Sequence, residues 1–188
     1  MNADPLERIP PAVRSALHAR GYTSLTPVQE AVLDPALEGH DLRISSQTGS
    51  GKTLAIALVL SPLLAAEPAG KGGGCAPQAI VVTPTRELAA QVQGELGWVL
   101  AGDRRRIVSV TGGTSVRAEL AELSRGADIV VGTPGRLLDH LERHAIDTSG
   151  VRAIVLDEAD QMLDLGFREA LEAILGKMPE GRRTHLLS

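Results

Sequence analysis

Residues Ile44 to Thr53 read I-S-S-Q-T-G-S-G-K-T, and they join a short apolar run, Leu42 to Ser45, to an Ala/Leu-rich helical pattern, Leu54 to Ala66. Strand, small-residue loop and helix in that order make a phosphate loop. Gly49, Ser50 and Gly51 let backbone N–H groups converge on an anion, and the helix start adds its partial positive charge. Lys52 supplies a point charge for the β- and γ-phosphates, and the Thr53 hydroxyl can bind Mg²⁺. The pattern G-x-x-x-x-G-K-[ST] is met except at its first glycine, where Ser46 stands.

With 188 residues, 43% of them hydrophobic, the chain fits one globular domain over residues 1–188 with a sizeable core. Its 19 Lys and Arg against 23 Asp and Glu give a net charge of −4, which excludes a basic coat for nucleic acid. Any such contact must be a local patch or use backbone dipoles. The single cysteine, Cys75, leaves no internal disulfide and suits a reducing compartment. The start M-N-A-D-P-L-E-R lacks the basic segment and apolar run of a signal peptide, and no apolar stretch reaches membrane-spanning length. A soluble, cytoplasmic protein with no membrane partner is expected. Tyr22, Trp98 and Phe167 are the only aromatic residues, too few for a platform that stacks bases. Glu67 to Pro77, E-P-A-G-K-G-G-G-C-A-P, reads as a flexible connection inside the domain.

Upstream of the loop, Leu6, Ile9, Val13 and Leu17 recur at helical spacing, and Pro10-Pro11 suit a helix start, so a helix ending near Gly21 is expected. Thr26 can cap a second helix that begins at Pro27, which puts Gln29 in its first turn with the amide free to match the N6/N7 edge of adenine. Downstream, apolar runs recur, each followed at once by an unusual polar turn. Ala79 to Thr83 leads into Pro84-Thr85-Arg86, Ile107 to Thr111 into Gly112-Gly113, Asp128 to Gly132 into Thr133-Pro134-Gly135-Arg136, and Ala153 to Leu156 into Asp157-Glu158-Ala159-Asp160. Helical patterns lie between them: Arg86 to Leu100, Val116 to Ser124, Arg136 to Arg143 and Phe167 to Met178. Strands alternating with helices predict an α/β fold, a parallel sheet covered on both faces. In such a sheet every strand-to-helix turn lies on the carboxyl edge, where ligands bind.

The turns form two groups. Asp157 emerges from a buried strand, where a carboxylate can share Mg²⁺ or its waters with Thr53. Glu158 is then placed to orient or deprotonate a water attacking the γ-phosphate. Thr85-Arg86, Gly112-Gly113 and Thr133 to Arg136 offer hydroxyls, close-approach glycines, guanidiniums and helix-start N–H groups, which suit a nucleic-acid backbone. Trp98 reads as packing, the His140/His144 pair as carrying no metal, and Arg104-Arg105-Arg106 as a solvated turn.

Together these segments resemble the amino-terminal RecA-like domain of the DEAD-box ATP-dependent RNA helicases. The likeness rests on the Q-motif G-Y-T-S-L-T-P-V-Q, S-Q-T-G-S-G-K-T, P-T-R-E-L-A, G-G, T-P-G-R, and D-E-A-D followed by Q-M-L-D-L-G-F, and in that family a small residue is usual where Ser46 stands. It implies a three-layer P-loop domain with a mainly parallel sheet. ATP with Mg would be bound by Tyr22, Gln29, Ser46, Gln47, Thr48, Gly49, Ser50, Gly51, Lys52 and Thr53, with Lys52, Asp157 and Glu158 catalytic and Thr53 and Asp157 on the metal. RNA backbone would meet Pro84, Thr85, Arg86, Gly112, Gly113, Thr133, Pro134, Gly135 and Arg136. Asp160 would couple to the S-A-T motif, of which Ser188 is the first residue here. Thr184 to Leu187 would lie between the phosphate-loop and D-E-A-D strands. The family's usual upstream aromatic has no counterpart in Asp4-Pro5-Leu6, so Leu6 is expected to replace it with apolar contact. A second RecA-like domain would supply arginine fingers and half of the RNA surface; this chain alone is expected to be monomeric, to bind nucleotide weakly and to turn over ATP negligibly. The competing readings are a non-catalytic ATP/RNA clamp or scaffold and a DNA-directed P-loop helicase.

Overall fold

The computed structural model describes residues 5–47, 49–64 and 75–188. After a 3₁₀ turn at Pro5–Arg8, α1 spans Pro11–Ala19 and α2 Pro27–Ala31. β1 (Leu42–Ile44) leads through the phosphate loop into α3 (Lys52–Leu60), and β2 (Ala79–Val82) leads into α4 (Arg86–Val99). Then follow β3 (Ile107–Val110), α5 (Val116–Leu123), β4 (Ile129–Gly132), α6 (Pro134–Glu142), β5 (Ala153–Leu156), α7 (Ala159–Asp164), α8 (Arg168–Gly176) and β6 (Arg183–Leu187).

Two helices depart from expectation for local reasons. α3 stops at Leu60 instead of running to Ala66, because Pro62 cannot extend a helical hydrogen-bond ladder. The turn after β5 continues into α7, a helix the sequence pattern did not announce; it closes at Gly166, whose φ of +84° is a conformation glycine adopts freely. Of the connection at Glu67 to Pro77, positions 67–74 lie outside the described residues.

The six described strands form one sheet in the order β1-β6-β5-β2-β4-β3, and every pairing is parallel. β6 therefore lies between the phosphate-loop strand and the D-E-A-D strand, as expected. The three strands β2, β4 and β5 are buried along their whole length, while the edge strands β1 and β3 are only partly so. Continuous burial follows from cover on both faces. Alternate β2 residues point to opposite cores: Ala79 and Val81 join residues of α1, α3 and α4, whereas Ile80 and Val82 join residues of α5, α6, α7 and α8. That is the three-layer α/β architecture.

Gly132, at the end of β4, has no room for a side chain. A Cβ there would sit 2.8 Å from both the carbonyl oxygen and Cγ2 of Val110 on β3. Gly132→Ala is expected to cost about 2 kcal/mol by overpacking, seen as a drop of roughly 4–8 °C in Tm. An unchanged Tm would show that the β3–β4 edge yields without cost.

Candidate nucleotide site and nucleic-acid interface

The phosphate loop hangs between β1 and α3, and its shape depends on glycine. Gly51 has φ of +89°, and a Cβ there would run into Nε2 of Gln29. As the N-cap of α3 it provides no side-chain cap, so the first-turn N–H groups stay available to an anion. The loop is otherwise folded on itself: the Ser46 and Ser50 hydroxyls are 2.7 Å apart, and Lys52 Nζ donates to Ser46 O at 2.9 Å. Thr48 lies outside the described residues. Gln47 and Gly49 are exposed, and Thr53 is half-buried on the first turn of α3.

Gln29 is engaged, not free. Its Oε1 accepts from Thr26 N–H at 2.9 Å and its Nε2 donates to Gly51 O at 3.2 Å, leaving the residue 2% exposed. A glutamine at the third helical position reaches back to the N-cap amide, and this geometry holds it against the phosphate loop. One amide hydrogen and one lone pair remain for a ligand. Thr26 Oγ1 is buried with no partner beside them.

From β5, Asp157 and Glu158 arrive at the same place. Glu158 Oε1 is 3.1 Å from Lys52 Nζ. Its backbone takes the left-handed conformation, φ 51° and ψ 52°, which a non-glycine residue adopts at a cost and which is concentrated at functional sites. Asp157 is 5% exposed, and burial, then the charge of Glu158, pushes its carboxyl up to about 6 despite Lys52 nearby. A buried carboxylate and a hydroxyl are hard oxygen donors, so the pair fits Mg²⁺. Among the described residues no group of three or more His, Cys, Asp or Glu forms a complete cage. Thr53 and Asp157 would hold the ion, directly or through water, and it would neutralise charge on the β- and γ-phosphates.

Along the same sheet edge lies the second group. Arg86 is exposed, and its Nη1 reaches toward Gly112 O at 3.5 Å; a Cβ on Gly113, where φ is +83°, would meet that guanidinium. The P-T-R and G-G turns are therefore in contact. Thr85 caps α4, accepting from Leu88 N–H at 3.2 Å, and its own hydroxyl hydrogen is left to donate. α6 begins at Pro134 with no side-chain cap from Thr133, so the N–H groups near exposed Gly135 are open to an anion.

The chain from Thr26 to its last residue matches the family model for DEAD/DEAH box helicases, over residues 26–188. The chain belongs to this family. DEAD-box ATP-dependent RNA helicase 9 of Oryza sativa subsp. japonica is 43% identical over 180 residues, covering 96% of this chain and 28% of that protein. ATP-dependent RNA helicase DbpA of Bacillus subtilis (strain 168) is 42% identical over 173 residues, covering 92% of this chain and 35% of that protein. Among solved structures, a DEAD box protein from the hyperthermophile Methanococcus jannaschii superposes with a TM-score of 0.83 at 34% identity, over 96% of this chain and 48% of the other. RNA-helicase Prp28 from Chaetomium thermophilum bound to ADP gives 0.86 at 34% identity, over 100% and 45%. The fold is thus the RecA-like domain expected, and the chain spans about a third of the length of these curated relatives.

The other residues singled out in the sequence of this DEAD-box chain take the following settings. Tyr22 stacks on Trp98, ring centroids 5.9 Å apart, with the Arg20 guanidinium 4.3 Å from the Trp98 ring centre. Trp98 lies twelve residues into α4, about 18 Å along the helix from its start, so the Tyr22 ring is held by aromatic packing on that helix. Pro84 and Pro134 are buried and shape their turns without facing outward. Leu6 packs against the first core cluster. Asp160 is exposed, and Ser188 continues the ladder, donating to Ile44 O at 3.0 Å while its carbonyl accepts from Ser46 N–H at 3.1 Å. Of Arg104-Arg105-Arg106 only Arg104 is exposed: the Arg105 side chain is buried against Asp128 at 3.3 Å, and Arg106 Nε donates to Gly126 O at 2.7 Å. Cys75 is 4% exposed, and burial pushes its thiol up to about 11, which leaves it inert.

Sequence reasoning missed Glu119. This carboxylate on α5 is 6% exposed and accepts from Thr111 N–H at 2.9 Å, from the Thr114 hydroxyl, from Arg136 Nη1 at 2.7 Å and from His140 Nε2 at 2.7 Å. Arg136 is accordingly committed in part to an ion pair, with its side chain 14% exposed. A cavity of about 340 Å³, lined by Leu33, Leu42, Leu58, Leu63 and His185, sits at the amino ends of β1 and β6 and belongs to neither group. No described helix is long and apolar enough to cross a membrane.

Proposed function

We propose that this chain is the ATP-binding and RNA-backbone-binding half of an ATP-dependent RNA helicase, which couples Mg-ATP binding and hydrolysis to local unwinding of RNA duplexes. The observation that carries the reading is the convergence of Lys52, Asp157 and Glu158 at the phosphate loop. Beside them on the same sheet edge lies a row of outward N–H groups, glycines and arginines. Lys52 would move from Ser46 O and Glu158 to the phosphates, which frees Glu158 for the attacking water. Gln29 would use its remaining donor and acceptor to select adenine. The contacts on Thr85, Arg86, Gly112, Gly113, Thr133, Gly135 and Arg136 would go to phosphate and sugar and so carry little sequence information. Asp160 would link this site to the segment that starts at Ser188. A second RecA-like domain of the full-length protein would close both clefts and supply the arginines that stabilise the transferring phosphoryl group; the greater length of the relatives supports this. The one buried cysteine supports a reducing, cytoplasmic setting.

The test is ATPase activity of the full-length protein. Turnover stimulated by RNA, unaffected by DNA and competed by ATP analogues far better than by GTP is expected. Stimulation by DNA, or equal use of GTP, would overturn the reading.

A further inference from the structure

Glu119 places a negative charge inside a face that is read as binding phosphates. An isolated carboxylate there would repel the ligand and carry a desolvation cost. This one does neither, because four donors converge on its two oxygens. Burial alone would raise its pKa, but hydrogen bonds from His140, Thr114 and Arg136 and the Thr111 N–H hold it below the usual carboxylate range. It is therefore ionised, and the Arg136 guanidinium balances it.

The donors come from separate pieces of the cradle. Thr111 and Thr114 flank Gly112-Gly113 on the turn after β3. Arg136 and His140 lie one helical turn apart on α6, the helix whose open N-terminus follows Thr133. Arg136 also donates from both terminal nitrogens to Thr114 O, at 3.3 and 3.4 Å. His140 is fully buried, so its ring acts only as a strut. Through Glu119 the G-G turn is thus tied to the T-P-G-R helix.

We propose that Glu119 is a positioning residue for RNA binding: it fixes the distance between the G-G turn and the start of α6 and aims the uncommitted edge of Arg136 at the sugar-phosphate backbone. The inference rests on the RNA-binding reading above. It assigns Arg136 a double duty, part of both terminal nitrogens for the scaffold and the remaining N–H groups, on Nε and Nη2, for a phosphate. Removing Glu119 then harms RNA binding by misplacing Arg136 and the turn, although it adds net positive charge to the face.

The test uses RNA-stimulated ATPase of the full-length protein with poly(U). E119Q preserves shape but turns an amide donor toward the Arg136 and His140 donors. It is expected to raise the RNA concentration for half-maximal stimulation about tenfold, while KM for ATP at saturating RNA stays within about twofold. In the double variant E119Q/R136Q the half-saturation is expected to match R136Q alone within about twofold, since both act through one guanidinium. Thr114→Val removes only the loop's hydroxyl tether, leaves the buried charges paired, and is expected to give about a threefold rise; it decides the matter if E119Q does not fold. Wild-type half-saturation in E119Q or Thr114→Val, or effects of E119Q and R136Q that multiply in full, would overturn the proposal. An unsubstituted protein that poly(U) does not stimulate would overturn the RNA reading itself, and this inference with it.

Discussion

Replacing Glu158 by glutamine in the full-length protein is expected to lower ATP turnover by about 100- to 10,000-fold, with ATP affinity held within about threefold. General-base or water-orienting carboxylates contribute on that scale, and the amide keeps the shape while losing the capacity to accept a proton. The geometry sharpens the expectation. Glu158 Oε1 is 3.1 Å from Lys52 Nζ, so the two groups already share one small volume, and the strained backbone at φ 51° fixes where the carboxylate stands. On the proposed reading Lys52 exchanges this partner for phosphate, so Glu158→Gln removes a competitor of the nucleotide along with the base, and binding is expected to be spared. Single-turnover hydrolysis beside equilibrium nucleotide binding separates the two effects. Turnover within tenfold of the unsubstituted protein would remove Glu158 from the chemistry.

Asp157→Asn is expected to make the ligand-free protein more stable at neutral pH, by about 1–3 kcal/mol or roughly 2–12 °C in Tm. The sign follows from the raised pKa. Asp157 titrates near 6 in the folded chain against an ordinary value of 3.8, chiefly because it is buried. Above pH 6 the folded state carries an ionised, desolvated carboxylate that the unfolded state carries in water, and stability is lost. As pH falls from 6 toward 3.8 the folded state takes up the proton first and recovers it. The gain of the asparagine variant should therefore be full near pH 7.5 and shrink through that window. Mg²⁺ with ATP should stabilise the wild type and leave the variant little changed. Equal Tm values at pH 7.5, or a variant less stable than wild type, would mean that Asp157 is not strained by its charge.

Strands, turns and their shared edge were legible because each carries its own local signal. An apolar run such as Ala79 to Val82 must be buried, and a run that ends in Pro84-Thr85-Arg86 must end at a helix start. Parallel topology then gathers the turns without further information. What was not legible depends on which buried polar group chooses which partner. Glu119 and His140 are 21 positions apart, on different helices, and both look like ordinary surface residues in a helical pattern until α5 and α6 are set against β3 and β4. Arg105 finding Asp128, Tyr22 finding Trp98, and Gln29 turning back onto Thr26 and Gly51 are the same kind of event. Each is a pairwise choice made after the backbone is placed, by the cost of leaving a polar or aromatic group without a neighbour.

The position of β6 carries a consequence for how the protein comes into being. Among the described residues β1 is an edge strand whose only strand neighbour is β6, and the bond from Leu42 N–H to His185 joins residues 143 positions apart. On the ribosome, residues 42–53 emerge long before anything exists to hold them in the sheet. At a synthesis rate of about 5–20 residues per second, the strand leading into the phosphate loop waits on the order of ten seconds or more for its partner. The strand that carries the phosphate loop therefore gains its sheet partner only when residues 183–187 have been made, and the loop's cradle is expected to be completed late.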